Sequence, residues 1–471
     1  MVESPFLKLG LISSIEKRLI EKKYNNPTPI QEKTISRLLE GTDLLGIAQT
    51  GSGKTAAFSL PILQHLSLNI MNNKSNKVEN VKKEKRKPIP RALVIAPTRE
   101  LALQIGKSIE SYGRYLSVSH TVIYGGIKQL YQVAALNRGV DIIVATPGRL
   151  LDLIQQGYAN LENISHLVLD EADLMLDMGF IKDIEKILKN LPSKKQTMLF
   201  SATMPAEVSK LAKNILNNPI RVDVTPQKII LDQIKQYVYL IDTPNKMNLL
   251  FDLLKSKKMT HTIIFRKTKR GANYLGQKLY RSGFKAETIH GDKTQSARQR
   301  ALRQFEKGRA KILVATDVAS RGIDFSRVSH VINYELPNIP ENYIHRIGRT
   351  ARAGSEGIAY SFCDVSEISF LRNIEKKSKQ KIQISPHAYE NQKKTEGKPE
   401  NFKKNKNRIK STKPENSTSK EKTWPKRNKR KFEKSKQEKK LEQSTPNKDK
   451  RGINTPKEKK KFHSHKKKKK F

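Results

Sequence analysis

The chain has 471 residues and a formal net charge of +47, so it is long enough for two or three buried cores and basic enough to favour a polyanionic partner such as nucleic acid. Its single cysteine, Cys363, excludes an intramolecular disulfide, and a reducing, cytoplasmic location is expected. Charged residues interrupt each apolar run of the first 30 residues, and no run of about 18 apolar residues occurs, so neither a signal peptide nor a membrane partner is expected.

Two series of short apolar runs, one in each half of the chain, define the predicted elements. The first series lies between residues 43 and 203 and the second between residues 262 and 363, with amphipathic segments between the runs. Continuous β-branched runs of this kind predict parallel strands that are covered on both faces by helices. We therefore predict an α/β fold with two tandem parallel-sheet domains, at residues 1–220 and 229–378, joined by a linker at residues 221–228.

The segment AQTGSGKT at residues 48–55 follows an apolar run and precedes a helical pattern, which is the setting of a phosphate-binding P-loop. Glycines let backbone N–H groups face a phosphate, and a helix N-terminus favours its negative charge. Lys54 would reach the β- and γ-phosphates of ATP, and the Thr55 hydroxyl would ligate Mg²⁺. The predicted ATP contacts in this loop are Ala48 (where the pattern usually has Gly), Gln49, Thr50, Gly51, Ser52, Gly53, Lys54 and Thr55. A plain Gly/Ser turn before a helix is the alternative.

Two Lys-rich segments fall outside the strand pattern. Residues 69–90 are predicted to be an exposed, mobile insertion, and residues 379–471 a disordered tail, because neither contains enough apolar sequence to bury. From residue 391 onward, 32 Lys and Arg accompany 9 Asp and Glu, which gives +23 of the total charge of +47. The remaining +24 belongs to the body of the chain, so the whole molecule is basic.

The segment LVLDEAD at residues 167–173 places three carboxylates at the end of another apolar run. Asp170 would hold Mg²⁺ through water, and Glu171 would orient and deprotonate the water that attacks the γ-phosphate. By itself, an acidic turn after a strand is most often a solvated turn. Together with a P-loop, it predicts a site that hydrolyses ATP with Mg²⁺.

These motifs, in this order, resemble those of the DEAD-box ATP-dependent RNA helicases, which are named after the sequence at residues 170–173. The resemblance runs from about residue 4 to 375 and implies two RecA-like domains; the basic tail most resembles bacterial RhlE-type members. PTPIQ, in the region 4–32, resembles the family's Q motif, so Gln31 would bond the adenine edge and Phe6 would join the ATP site. Lys23 stands where the family usually has Gly.

Further motifs of the first domain resemble those with which the family grips RNA and couples RNA to ATP. The implied RNA contacts, through phosphate and ribose, are Pro97, Thr98, Arg99, Gly125, Gly126, Thr146, Pro147, Gly148 and Arg149. Ser201 and Thr203, in the sequence SAT, would couple the two ligands through hydroxyl bonds to the acidic segment at residues 170–173, and Asp173 would belong to this coupling set. Helix capping, turn formation and a polar strand end are the alternatives.

The second domain supplies motifs at residues 290–298, 315–324 and 343–354. The resemblance implies that Asp324 bonds the ATP ribose and that Arg349 and Arg352 are arginine fingers on the γ-phosphate. Gln295, Arg298 and Thr316 would lie toward RNA, with Arg266 as an additional phosphate contact. His345 and Arg346 would tie motifs together across the cleft, and Ala351 stands where the family often has Gly. A basic helix face is the alternative for this arginine series.

The implied function is RNA-stimulated ATP hydrolysis coupled to non-processive unwinding of short RNA duplexes or remodelling of RNA–protein complexes. Ribosome assembly and RNA decay are candidate pathways, with ribosome-assembly or degradosome proteins as candidate partners. The basic tail would tether RNA without sequence preference, or would only improve solubility. One rival function is a DNA helicase or translocase on the same paired core. The other is an RNA chaperone that needs no ATP turnover.

Overall fold

The computed structural model describes residues 4–49, 51–75, 88–224, 233–256, 259–320, 323, 328–351 and 356–389. Three predicted site residues lie outside these ranges, namely Thr50, Asp324 and Arg352. Most of the predicted insertion, the end of the predicted linker and the tail from residue 390 onward also lie outside them. Within the described ranges, no helix is both long enough and apolar enough to cross a membrane.

The first seven strands form one parallel sheet with the spatial order β3-β4-β2-β5-β6-β1-β7. The strands are β1 Leu44–Ile47, β2 Ala92–Ile95, β3 His120–Ile123, β4 Ile142–Ala145, β5 His166–Leu169, β6 Gln196–Ser201 and β7 Ile220–Asp223. The helices are α1 Ser13–Glu21, α2 Pro29–Leu39, α3 Lys54–Ser75, α4 Arg99–Tyr112, α5 Gln129–Arg138, α6 Pro147–Gln155, α7 Ala172–Asp177, α8 Ile181–Leu188 and α9 Ala206–Ile215. A 3₁₀ helix at Leu7–Leu9 precedes α1.

The next seven strands form a second parallel sheet with the order β10-β11-β9-β12-β13-β8-β14. The strands are β8 Ile234–Leu240, β9 Thr262–Phe265, β10 Ala286–Ile289, β11 Ile312–Ala315, β12 His330–Asn333, β13 Gly357–Cys363 and β14 Gln383–Ile384. The helices are α10 Lys246–Ser256, α11 Lys269–Arg281, α12 Gln295–Glu306, α13 Asp317–Ser320, α14 Pro340–Ile347 and α15 Ile368–Ser378. Two 3₁₀ helices lie at Thr243–Asn245 and Val365–Glu367.

The central strands are mostly apolar because both faces of each sheet are covered. Every residue of β2, β4, β5, β9, β11 and β12 is buried. Along β2, Leu93 packs in one apolar cluster and Val94 in the cluster on the opposite face, as strand alternation requires. The predicted α/β fold with two tandem parallel sheets is therefore confirmed.

The described elements differ from three predicted boundaries. Helix α3 continues to Ser75, which lies inside the predicted insertion at residues 69–90. Strand β7 pairs with β1 and takes up the beginning of the predicted linker. Strand β14 pairs with β8, so the second sheet continues past residue 378. Short edge strands with mixed composition carry too little apolar periodicity to be recognised in sequence, and backbone pairing decides them.

Residues after β14 are fixed against the second domain by side-chain contacts. His387 Nε2 lies 2.9 Å from the carbonyl oxygen of Leu240, at the end of β8. The Tyr389 hydroxyl donates to Asp252 Oδ2 at 2.5 Å, and Asp252 belongs to α10. The short strand and these contacts cover the edge of β8 that would otherwise be open to pairing. The described fold thus reaches Tyr389, where the tail begins.

Two positions at which the resembling family has Gly adopt a left-handed backbone with other residues. The φ angle is 61° at Lys23 and 55° at Ala351. This conformation costs a residue with a Cβ atom about 1–2 kcal/mol. The chain therefore keeps both turns without the glycines, at a local cost in backbone strain that the surrounding packing offsets.

A buried ion pair in the second domain leads to a prediction about stability. Lys246 is 1% exposed and its Nζ lies 2.6 Å from Glu367 Oε2. Replacing Lys246 by Met should lower the free energy of unfolding of this domain by about 3–5 kcal/mol, because Glu367 then keeps a buried charge without its partner. Urea denaturation monitored by circular dichroism measures the change.

Lys235 provides the matched control for this prediction. It pairs with Glu356 at 2.9 Å, but the two side chains are 60% and 76% exposed. Lys235→Met should therefore change the free energy of unfolding by less than about 1 kcal/mol. Equal effects of the two substitutions would contradict the role that we assign to burial.

Candidate nucleotide and RNA site

The loop between β1 and α3 is closed by hydrogen bonds at both ends. The N–H of Ala48 donates to the carbonyl oxygen of Ser201, at the end of β6, at 3.0 Å. Lys54, the first residue of α3, donates from Nζ to the carbonyl oxygen of Ala48 at 3.0 Å. The Lys54 ammonium group thus lies over the loop at the N-terminal end of a long helix, where an anion is favoured.

Gly53 makes the closest approach between this loop and α2. Its φ angle is +98°, and a Cβ atom there would lie 2.5 Å from Gln31 Nε2 and 2.7 Å from Thr28 Oγ1. Gln31 Oε1 accepts from the Thr28 N–H at 3.0 Å, and Nε2 donates to the Gly53 carbonyl oxygen at 3.1 Å. Gln31 therefore contacts the phosphate loop directly, and an adenine contact would replace at least one of these bonds.

Phe6, predicted to join the ATP site, lies in an apolar cluster of the first domain. Its side chain is 2% exposed and packs with residues of α1, α2 and α3. The described contacts of Phe6 are thus those of a core residue.

Asp170 follows β5 and is 1% exposed. Burial raises the pKa of its carboxyl group to about 6, although the positive charge of Lys54 acts in the opposite direction. Lys54 Nζ lies 3.8 Å from Asp170 Oδ1, which accepts no hydrogen bond from any described residue. A buried carboxylate oxygen with an open lone pair fits a cation ligand, bound directly or through water.

Glu171 occupies a strained backbone position at the start of α7. Its φ and ψ angles are 57° and 55°, in the left-handed region, and the residue is buried. Strain of this kind costs about 1–3 kcal/mol and is typical of functional positions. The carbonyl oxygen of Glu171 already accepts from the Met175 N–H at 3.1 Å. Only Asp170 and Glu171 therefore separate the end of β5 from the start of α7.

Asp173 joins the acidic segment to the SAT segment by three hydrogen bonds, and a fourth lies within the SAT segment. Asp173 Oδ2 accepts from the Thr203 N–H at 2.8 Å and from the Thr203 hydroxyl at 2.9 Å. The Asp173 N–H donates to Ser201 Oγ at 3.1 Å, and Ser201 Oγ donates to the Thr203 carbonyl oxygen at 2.7 Å. The hydroxyl bonds expected from the sequence are present. Their role in coupling ATP to RNA stays a prediction.

Arg99 lies against the two predicted glycines, at the ends of β2 and β3. A Cβ atom at Gly126 would lie 2.2 Å from Arg99 Nη1, and one at Gly125 would lie 3.5 Å from Arg99 Nη2. Gly126 also has a φ angle of +82°, so only glycine leaves room for the guanidinium group. Thr98 Oγ1 accepts from the Leu101 N–H at 3.2 Å and caps α4, which is the structural alternative named above.

The TPGR segment forms the beginning of α6. Thr146 precedes the helix and Pro147 is its first residue. Arg149 Nε lies 3.4 Å from Asp152 Oδ2, one turn further along the helix. Gly148 has open space where a side chain would project. The segment therefore presents the N-terminal end of a helix at the same edge of the first sheet as Arg99.

Glu100, which the sequence analysis did not single out, contacts two predicted RNA residues of the second domain. Arg298 Nη2 donates to Glu100 Oε2 at 2.7 Å, and Gln295 Nε2 donates to Glu100 Oε1 at 3.0 Å. Arg99 Nη1 also donates to Gln295 Oε1 at 3.4 Å. Burial lowers the pKa of Arg298, while Glu100 acts in the opposite direction. The carboxylate beside Arg99 in PTRELA was the only sequence signal for this bridge.

Arg346 joins the ends of two strands within the second domain. Its Nε and Nη2 donate to Asp317 at 2.6 and 2.9 Å. Its Nη1 donates to Asn333 Oδ1 at 3.2 Å and to the Glu335 carbonyl oxygen at 2.8 Å. The contacts described for Arg346 thus tie β11 to β12 inside one domain. The resemblance in sequence implies contacts across the cleft, and that role stays a prediction.

Arg349 lies one turn beyond Arg346 and is buried. Its Nη1 donates to the Ile323 carbonyl oxygen at 2.8 Å, and its Nε donates to the His345 carbonyl oxygen at 3.2 Å. Both partners belong to the second domain. The guanidinium group thus lies against two backbone carbonyl groups of its own domain.

Arg266 follows β9 and is partly buried between two residues after β12. Its Nη2 lies 3.3 Å from Glu335 Oε1, and its guanidinium carbon lies 4.4 Å from the centre of the Tyr334 ring. Arg266 Nε has no hydrogen-bond partner among the described residues. Thr316, at the end of β11, is buried. Both residues lie at the carboxyl edge of the second sheet, where a ligand crevice is expected.

Comparisons with known proteins agree with this geometry. The family described as DEAD/DEAH box helicase matches residues 28–211, and the Helicase conserved C-terminal domain matches residues 245–354. The DEAD-box ATP-dependent RNA helicase CshA of Geobacillus kaustophilus is 42% identical over 378 residues, which is 80% of this chain and 77% of that protein. The ATP-dependent RNA helicase DeaD of Buchnera aphidicola is 43% identical over 382 residues, 81% of this chain and 61% of that protein.

Solved structures are similar over the same part of the chain. S. cerevisiae Dbp5 bound to RNA and ADP BeF3 is 33% identical, with a TM-score of 0.69 over 81% of this chain and 95% of that chain. Mss116p bound to ssRNA and AMP-PNP is 32% identical, with a TM-score of 0.69 over 80% of this chain and 78% of that chain. Both similarities cover the two sheets together.

Proposed function

The chain belongs to the DEAD-box ATP-dependent RNA helicases, and from this premise we propose which of its residues hydrolyse ATP and unwind RNA. It is an ATP hydrolase with two RecA-like domains that unwinds or remodels RNA. The residue assignments rest on one observation. Lys54 Nζ, at the start of α3, lies 3.8 Å from Asp170 Oδ1, directly after β5.

The phosphates of ATP are assigned to the loop at residues 48–55. Its backbone N–H groups and the Lys54 ammonium group would bind the β- and γ-phosphates, and Gln31 would exchange its bond to Gly53 for the adenine edge. Phe6 would support this end of the site from the core. Asp324, which lies outside the described residues, is proposed to bond the ribose.

Mg²⁺ is proposed to be held by Asp170 and Thr55, each of which would act directly or through water. The open Asp170 Oδ1 supports this assignment. Among the described residues, no three His, Cys, Asp or Glu side chains converge on one point, so phosphate oxygens and water would complete the coordination. The ion would neutralise charge on the phosphates during transfer.

Glu171 is proposed as the general base and Arg349 and Arg352 as the arginine fingers. Glu171 would accept a proton from the attacking water, and the two guanidinium groups would stabilise negative charge as it develops on the γ-phosphate. Glu171 and the fingers lie on different domains. Hydrolysis would therefore need both domains around one nucleotide, and ligands that favour this arrangement would favour one another.

RNA is proposed to bind along the carboxyl edges of both sheets. The contacts in the first domain would be those assigned above to the segments at 97–99, 125–126 and 146–149. In the second domain, Arg298 keeps its Nε without a partner among the described residues while Nη2 bonds Glu100, so it can bind a phosphate as well. Arg266 would do the same through its unpaired Nε. Contacts of this kind position RNA without reading its sequence.

Several finer assignments remain proposals. The relatives described above carry the names CshA and DeaD, so the RhlE-type resemblance is not supported by them. A cytoplasmic location, a role in ribosome assembly or RNA decay, and protein partners from those pathways are proposed from the family resemblance. The second domain is proposed to extend to Tyr389, and the basic segment after it to tether RNA.

A comparison of nucleic acids tests the proposed substrate. We expect that single-stranded RNA stimulates ATP hydrolysis by this chain at least tenfold more than DNA of the same sequence, because the 2′-OH lets a protein distinguish the two. Steady-state phosphate release with saturating ATP measures the stimulation. Equal or stronger stimulation by DNA would favour the rival DNA translocase, and no stimulation by either would favour an RNA chaperone.

A further inference from the structure

A groove in the second domain lies outside the nucleotide and RNA sites proposed above. It runs between helix α11 and strand β10 and encloses about 200 Å³. The polar side chains that line it are Asn273, Gln277, Tyr280, Arg281, Glu287, Thr288 and Lys293. None of them has a part in the ATP site or in the proposed RNA contacts, so those two sites do not account for the groove.

The floor of the groove is formed where α11 touches the sheet. A Cβ atom at Gly276 would lie 2.0 Å from Thr288 Oγ1, so helix and strand are in direct contact there. Strand β10 is the last strand of its sheet and pairs with β11 alone. No further strand covers the outer side of the groove in the described fold, which leaves it open along its length.

The outward face of α11 combines aromatic and basic side chains. Arg270, Tyr274, Lys278 and Arg281 are spaced by four, four and three residues, so they form one stripe along the helix. Tyr274 is 61% exposed and Tyr280, on the groove side of the stripe, is 73% exposed. The helix contains no acidic residue. Large aromatic rings that remain this exposed beside cations are typical of surfaces on which nucleic-acid bases stack.

We propose that this groove binds an unpaired base of single-stranded RNA outside the helicase cleft. The Tyr280 ring would stack on the base, and the amides of Asn273 and Gln277, each with a donor and an acceptor, would bond its edge. Arg281 and Lys293, at the two ends of the groove, would bind the flanking phosphates. The proposal rests on RNA being the ligand of this chain, and it adds a site to those of the proposed function.

The groove is continuous with the proposed RNA path. Lys293 lies two residues before Gln295, at the carboxyl edge of the second sheet. From Asn273 to Arg281 the helix advances about 12 Å toward the opposite edge. A strand that leaves the cleft past Gln295 would thus enter the groove at Lys293 and leave it at Arg281. The groove would hold the single-stranded part of a substrate while the adjoining duplex is in the cleft.

Charge favours RNA over other occupants. Arg281 and Lys293 line the groove, and Glu287 is the one acidic residue among its lining residues. An acidic peptide would satisfy the cations, but it would not use the exposed Tyr280 ring and the two amides, which suit a planar base. We therefore commit to RNA and leave a peptide as an outcome of the test.

The test uses the full chain with Tyr280→Ala and Arg281→Ala combined. Both side chains are exposed at the end of α11, away from the cleft, so folding and basal ATP hydrolysis should be unchanged. We expect affinity for an RNA with a single-stranded extension to fall about 5- to 30-fold, because alanine substitution removes one stacked base contact and one phosphate contact. Affinity for a short RNA that fills the cleft alone should be unchanged.

The matched control combines Tyr158→Ala and Lys189→Ala in the first domain. These exposed residues follow the ends of α6 and α8, so the control removes the same kinds of group from the side opposite the cleft. Fluorescence anisotropy at several salt concentrations separates the loss from binding by the basic tail, which is identical in all variants.

Each result decides the proposal. A loss confined to the extended RNA and to the groove variant, together with an ultraviolet cross-link from that RNA to the peptide containing Tyr280, supports it. Equal affinity of the groove variant and the parent for extended RNA overturns it, and an acidic peptide then becomes the candidate ligand of the groove. If the parent fails to bind either RNA, the proposed function fails, which is a different result from loss of the groove alone.

Discussion

Replacing Glu171 by Gln should lower the rate of ATP turnover by about 10²–10⁴-fold while ATP and RNA remain bound. Gln has nearly the same size and can keep hydrogen bonds at the strained turn before α7, but it cannot accept a proton from the attacking water. The nucleotide would then stay in the closed site with RNA beside it. Single-turnover hydrolysis and equilibrium binding of both ligands, measured on the same preparation, test this expectation.

Asp177 supplies a matched control for the first prediction. It is exposed at the other end of the same short helix, and Asp177→Asn removes one negative charge, as Glu171→Gln does. We expect the control to hydrolyse ATP at the parent rate. Normal turnover in Glu171→Gln would refute the assignment of the base and would favour the RNA chaperone, which needs no hydrolysis.

Replacing Arg349 by Ala should lower RNA-stimulated ATP turnover by about 10³–10⁵-fold. The guanidinium group would place positive charge beside the γ-phosphate as negative charge develops there, and the alanine side chain has no atom that can supply this charge. The substitution also removes bonds to the carbonyl oxygens of Ile323 and His345. Turnover at saturating ATP and RNA should therefore be measured together with thermal unfolding of the variant.

Two further variants separate catalysis from folding in the second prediction. Arg349→Lys keeps the charge but loses the planar fork, so it should recover the fold and only part of the rate. Arg303→Ala removes a positive charge from an exposed position in the same domain and should leave the rate unchanged. If the Arg349→Ala variant is folded and hydrolyses ATP near the parent rate, the assignment of Arg349 as an arginine finger is refuted.

The sequence by itself determined the class of fold and the chemistry of the nucleotide site. Strands such as β2, β4 and β11 are buried over every residue and consist only of aliphatic residues, so the sequence alone identifies them. The phosphate loop and the acidic segment are likewise short and contiguous. Their function depends on residues that are neighbours in the chain, and local sequence is sufficient to recognise them.

Element ends and edge strands depended on the tertiary structure. Strand β14 has two residues, and β7 contains Arg221 and Asp223, so neither has an apolar pattern that distinguishes it from a loop. Each becomes a strand because the strand beside it offers unpaired N–H and carbonyl groups. The end of α3 could not be recognised in the sequence for the same reason, because its last turn contains Asn and Lys where the earlier turns are mostly apolar.

Contacts between distant residues were decided only by the tertiary structure. Glu100 and Arg298 are separated by 198 positions, yet their side chains meet at 2.7 Å. Burial raises the pKa of Asp170 to about 6, and the turn at Glu171 gives that residue its left-handed backbone. Desolvation, backbone strain and long-range ion pairs arise when separate segments pack together, whereas residue type and spacing are properties of the chain alone. The sequence therefore determined which chemical groups are present, and the packing of the two sheets decided which of them meet.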